Sequence, residues 1–201
     1  MIYLGPEVDH LTELITRLDE ERFLEYKESC PWEDLKFKIA KTCMGMANIR
    51  HGGTIIIGIR KTDGEYDPEG MTDEHIETYN TDDIQAFISR FADPYVRIEL
   101  YLKEWDSKKF LIIVVHEFDE IPVVCKSDSD ITRIGAIYTR SYRMNETCKV
   151  QSQTEMREII EMATEKGFRH FIRTIHRMGV SIDKISRLTD EETFRRQREE
   201  L

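Results

Sequence analysis

The clearest hydrophobic pattern in the chain lies at residues 46–59, M-A-N-I-R-H-G-G-T-I-I-I-G-I. Residues 54–59 are an almost unbroken apolar run rich in β-branched side chains, which predicts a strand buried on both faces. Gly52 and Gly53 precede it as a tight turn, and Gly58 lies near its end. Upstream, residues 31–48 predict a helix. Pro31 opens it, Glu33 and Asp34 suit the positive end of its dipole, and Leu35, Ile39, Thr42 or Cys43, and Met46 form its buried stripe. An earlier helix over 7–19 puts Leu11, Leu14, Ile15 and Leu18 on one face. Between the helices, residues 22–27 alternate as a short strand, with Glu25 and Lys27 sharing one face and Tyr26 on the other.

Beyond the central strand, K-T-D-G-E-Y-D-P-E-G (61–70) predicts a loop. Thr81 or Asp82 is expected to cap a helix reaching Phe91, with Pro94 as its stop. Residues 96–105 alternate, 106–108 turn and 110–116 are apolar, which predicts a hairpin. Two further short strands are expected at 121–125 and 135–140. A helix is expected at 154–166, entered through Ser152 or Thr154 and ended by Gly167. Helices combined with mostly hairpin-linked strands predict an α+β fold rather than a doubly wound parallel sheet: a mixed, mostly antiparallel sheet with packed helices.

After Gly167 the character changes. Residues 168–179 predict a helix, Ser181 caps a short one at 182–188, and T-D-E-E (189–192) starts another. The spacing is helix-turn-helix-like, and a short helical tail packed on its own body has the same pattern. The expected division is a domain of residues 1–166 and a basic helical tail of 167–201.

Length and composition narrow the classes. A chain of 201 residues, 40% apolar and 34% charged, supports one packed core with a small appendage. No apolar run approaches the ~20 residues of a membrane span. The opening M-I-Y-L-G-P-E-V-D reads as neither a basic leader nor an apolar signal core. Cys30, Cys43, Cys125 and Cys148 are widely spaced without C-x-x-C, so reduced thiols in a cytoplasmic protein are expected. The net charge of −10 is a poor background for binding polyanions, but it is uneven. From Lys166 onward 9 Lys and Arg face 6 Asp and Glu, leaving 20 against 33 in the remainder. A basic tail on an acidic body can engage nucleic acid, or the body of a second subunit in a homodimer.

Three stretches carry candidate chemistry. Glu20, Glu21 and Glu25 lie close to Lys27. Clustered carboxylates can hold Mg²⁺ or Mn²⁺, Asp63 can add another from its loop, and a lysine can stabilise charge on a scissile phosphate. Solvated surface charge is the plainer alternative. The H-G-G turn runs from helix to strand, opposite to a phosphate loop, and neither G-K-S/T nor G-x-G-x-x-G occurs. In Y-T-R-S-Y-R (138–143), Tyr138 and Tyr142 interleave with Arg140 and Arg143. Such groups stack on bases and pair with phosphates, or form salt bridges to the acidic body. The histidines fall on unrelated elements and give no nucleophile–base pattern.

Taken in order, L-E-Y-K (24–27), C-M-G-M-A-N-I-R-H-G-G-T-I-I-I-G-I (43–59), D-G (63–64), I-I-V-V (112–115), I-P-V-V (121–124) and G-A-I-Y-T-R (135–140) resemble the Schlafen AlbA-like domain family. The helix around 155–160 completes the match, which covers roughly residues 10–166. The resemblance implies a mixed α/β domain that binds RNA or DNA. It implies either a metal-dependent endoribonuclease acting on structured RNA such as tRNA, or a DNA-binding regulator. It implies a nucleic-acid groove lined by Glu25, Lys27, Arg50, Arg140 and Arg143. In a nuclease member, Glu20, Glu25 and a third acid would hold Mg²⁺ or Mn²⁺. Counted from Gly58, that third position falls on Arg60 or Lys61; a loop longer by one or two residues places Asp63 there. A basic residue in a metal cage repels the ion. The alternative reading is a non-catalytic interaction or regulatory module that dimerises through acidic body and basic tail.

Overall fold

The computed structural model describes residues 8–178. The chain divides into two compact units, residues 1–160 and 161–201.

The first unit begins with α1 (Val8–Arg17), followed by β1 (Leu24–Lys27) and α2 (Trp32–Ala47). Then come β2 (Gly53–Ile57), the short hairpin β3 (Arg60–Thr62) and β4 (Glu65–Asp67), α3 (Asp73–Glu77) and α4 (Thr81–Ser89). After β5 (Ala92–Asp93), the long hairpin β6 (Ile98–Trp105) and β7 (Lys108–Val115) follows. The last strands are β8 (Val124–Cys125), β9 (Tyr138–Arg140) and β10 (Thr147–Lys149), before α5 (Gln153–Arg177).

The principal sheet has the order β1-β2-β7-β6. β1 and β2 are parallel because α2 carries the chain between them, while β2–β7 and β7–β6 are antiparallel. The fold is therefore α+β, with a mixed, mostly antiparallel sheet. Ile55, Ile56 and Ile57 are all fully buried, as expected for a strand covered on both faces. On one face Leu24, Tyr26, Ile56 and Ile112 pack with Phe110, Ile59 and with Leu14 and Ile15 of α1. α2 packs against β2 and β7 and also against β9 and β10. Its predicted stripe of Leu35, Ile39, Thr42, Cys43 and Met46 is buried throughout.

The glycine turn before β2 is demanded by contact. Gly52 has φ +71, and a Cβ there would stand 2.0 Å from the Val115 carbonyl oxygen. At Gly53 a Cβ would meet Met46 Sδ at 2.7 Å and the Phe23 carbonyl oxygen at 2.8 Å. That close approach lets the Thr54 amide donate to the same Phe23 oxygen at 2.7 Å, which sets the register of β1 on β2.

Several expectations are corrected. Residues 61–70 are not a loop throughout: β3 and β4 pair, with Asp63 (φ +53) and Gly64 (φ +91) as the two-residue turn. An Asp-Gly pair is the usual signal for such a turn. Asn80, rather than Thr81 or Asp82, caps α4, accepting from the Asp82 and Asp83 amides at 2.9 and 3.3 Å. The strand expected over 121–125 is confined to β8, and α3 and β10 are additional elements. Gly167 does not end the helix begun near residue 154; α5 passes through it. A glycine inside a helix costs only about 0.5–1 kcal/mol relative to alanine, so it is no stop by itself. The separate helix expected at 168–179 is instead the continuation of α5 to Arg177, and the rest of the helix-turn-helix-like spacing, from 179 on, lies outside the described residues.

Candidate nucleic-acid interface

Alternation along β1 sends Leu24 and Tyr26 into the core and turns Glu25 and Lys27 to the other face. There Glu25 meets Arg140 from β9, whose side chain is completely buried. A buried guanidinium is tolerable only with a full set of acceptors. Arg140 Nη1 pairs with Glu25 Oε2 and donates to Thr147 Oγ1 at 3.3 Å. Its Nε donates to the Arg22 carbonyl at 3.0 Å and its Nη2 to the Glu21 carbonyl at 3.4 Å. Glu25 Oε1 pairs with Lys27 Nζ.

Arg22 returns the bond, its Nε donating to the Arg140 carbonyl at 2.7 Å. Its fork then grips Glu158 of α5, with Nη1 3.0 Å from Oε1 and Nη2 on Oε2. Burial alone would raise the Glu158 carboxyl, but Arg22, Tyr142 and the Arg50 backbone hold it below the usual carboxylate range. Over this pair lies the ring of Tyr142, its centroid 3.7 Å from the Arg22 guanidinium carbon.

Glu20 anchors the other side. Its Oε1 accepts the Tyr26 amide at 3.1 Å, and its Oε2 accepts the Tyr66 hydroxyl at 2.7 Å. Lys61 stands opposite Tyr66 on the β3–β4 hairpin. Its Nζ donates to the Tyr66 hydroxyl at 2.7 Å and lies 3.6 Å from Glu20 Oε2. The Tyr66 hydrogen bond raises the Lys61 ammonium pKa; desolvation opposes it, and the nearby Glu20 carboxylate adds to the rise. Asn145 in the β9–β10 connection donates to the Glu20 carbonyl at 2.7 Å, tying that connection to the same corner.

The predicted site residues thus separate into two groups. Arg50, Tyr142 and Arg143 are exposed at the surface, and Lys27 is partly so. Tyr138 and Arg140 are corrected from surface contacts to buried supports. Tyr138 packs inward and accepts the Arg133 amide at 2.9 Å, and Arg140 is enclosed by the acceptors just described. All three residues of β9 are buried, so alternation along the strand could not reveal which side chains face water. The sequence pattern does not mark Arg22, Tyr66 or Glu158 as contributors, and it marks Lys61 only as a position on which the family's third acid falls. The Asp-Gly signal at 63–64 was the available clue, because such a turn folds Tyr66 back across Lys61.

The arrangement does not fit a divalent ion. Glu20 faces Tyr66 and Lys61, Glu25 faces Lys27 and Arg140, and Asp63 sits in an exposed turn. Among the described residues no group of three or more His, Cys, Asp or Glu is placed to hold a metal. Nor is any helix among them long and apolar enough to cross a membrane.

The DIP2311 protein of Corynebacterium diphtheriae is similar over 72% of this chain and 26% of its own, at 17% identity and TM-score 0.47. This chain therefore spans about a quarter of that protein's structure. The N-terminal domain of a RecG-related protein from Nitrosomonas europaea is similar over 75% of this chain and 97% of its own, at 22% identity and TM-score 0.44. No curated protein matches the sequence. The family described as Schlafen, AlbA_2 matches residues 20–149, a span that holds every strand from β1 to β10, and the chain belongs to that family.

Proposed function

We propose that this Schlafen AlbA_2 domain binds RNA or DNA along a rim formed by Tyr142, Arg143, Arg50 and Lys61. One observation carries the reading: Tyr142, 55% exposed, is held on the Arg22 guanidinium at 3.7 Å and is thereby ordered before any base arrives. An ordered aromatic ring is a sequence-tolerant platform, each stacked base contributing about 1–3 kcal/mol. Around it, exposed arginines supply the forked donors that phosphates accept. The cluster beneath is itself cationic: Arg22, Lys27, Lys61 and Arg140 surround Glu20, Glu25 and Glu158.

Fluorescence anisotropy with tRNA, single-stranded and duplex probes at low salt tests this. Binding is expected, and Tyr142→Ala should weaken it by about tenfold or more through the lost stack. Failure of all three probes overturns the proposal. A salt-sensitive homodimer indifferent to nucleic acid would then favour the interaction module. Running the tRNA probe with Mg²⁺, Mn²⁺ or EDTA reads any endoribonuclease activity, and preference for duplex would favour a DNA-binding regulator.

A further inference from the structure

The carboxylates of the β1 corner are already neutralised, and the group beside Glu20 is a tethered cation. Lys61 Nζ lies 3.6 Å from Glu20 Oε2, and the Tyr66 hydroxyl links the two at 2.7 Å on each side. Behind them Glu25 is matched by Lys27 and by the buried Arg140, and Glu158 by Arg22. With the Arg17–Glu21 pair included, a divalent ion entering this corner would meet five paired cations against four carboxylates. A phosphate would meet the same excess as attraction. Lys61 is also the more open of the two lysines, with 54% of its side chain accessible against 22% for Lys27.

We propose that Lys61 acts as a built-in counter-ion beside Glu20, taking the charge role a divalent metal would otherwise fill, so that this corner receives a phosphate anion without metal. The phosphate half rests on the nucleic-acid reading above; the metal half does not. The hairpin supplies the device. The Asp63–Gly64 turn sets Lys61 across from Tyr66, and Tyr66 in turn packs on Tyr26 of β1 with ring centroids 5.1 Å apart. The ammonium is thus carried on a paired two-strand arm whose other strand supplies Tyr66.

The test uses the full chain and Mn²⁺ as the probe, read by electron paramagnetic resonance, together with Lys61→Glu checked for folding by circular dichroism. The wild type is expected to take up no stoichiometric Mn²⁺. Its affinity for an oligonucleotide should be the same in EDTA as in Mg²⁺, and Lys61→Glu should gain a Mn²⁺ site. Stoichiometric Mn²⁺ uptake by the wild type that is lost in Glu20→Gln overturns the proposal. A folded Lys61→Glu variant that still takes no Mn²⁺ overturns it too, since charge would not be what keeps the ion out. If no oligonucleotide binds, the nucleic-acid reading fails while the Mn²⁺ measurements still decide the role of Lys61.

Discussion

Arg140 shows how a residue that looks like a surface contact in sequence becomes structural. Its guanidinium, wholly enclosed, balances Glu25 and bonds two carbonyls from the segment before β1. Replacing it with methionine strands the Glu25 carboxylate beside Lys27 alone and should cost about 3–5 kcal/mol, measured by urea unfolding. The double variant Glu25→Leu with Arg140→Met should recover most of that loss. If it does not, the pair is more than a balanced charge. Glu158 carries a pH signature. Its carboxyl titrates lower in the folded chain than in the unfolded one, so the folded state binds fewer protons there. The Arg22–Glu158 clasp is therefore fully stabilising above the ordinary glutamate range near 4.3 and is lost as pH falls through the depressed folded value. Glu158→Gln should flatten the acid limb of a stability–pH curve and leave the neutral limb's slope unchanged.

Among the elements, the end of α2 is the junction that most needs its side chain. Asn48 is fully buried, and its amide donates to the Val123 and Tyr138 carbonyls, both at 2.8 Å. Its Oδ1 accepts the Val123 amide, also at 2.8 Å. One side chain thus joins α2, the segment entering β8, and β9. Asn48→Ala removes all three bonds and leaves buried backbone groups without partners, a loss of roughly 2–4 kcal/mol by thermal or urea unfolding. A loss below about 1 kcal/mol would mean water replaces the amide. The sequence marked Asn48 only as a helix end, because its partners lie 75 and 90 residues away. Caps made locally are more legible. Ser152 Oγ accepts the Glu155 amide at 3.2 Å, and Glu155 reaches back to the Ser152 amide at 3.3 Å, the reciprocal pattern that S-x-x-E announces.

At the scale of the whole molecule, an acidic chain of net charge −10 must bind a polyanion through a local excess of cations, not through its overall field. The rim offers Arg50, Lys61 and Arg143, enough for about three phosphates, so log K against log salt should fall with a slope of roughly −2 to −3. A slope much steeper than that would mean a larger basic surface engages the probe, with the region after Lys166 the first to truncate. The sequence by itself determined the central features of this fold. The apolar run of β2, the stripe of α2 and the β6–β7 hairpin follow from periodicity, because each buries a face whose spacing is set by local backbone geometry. The ordered motifs likewise pointed to the family that residues 20–149 match. What only the tertiary structure decided is the partner of each charge. Arg22 and Arg140 exchange bonds across 118 residues, and Lys61 reaches Glu20 only after β3 has folded back over β1. Charges pair by distance in space, and a carboxylate reads the same in sequence whether a metal, a lysine or water will stand beside it.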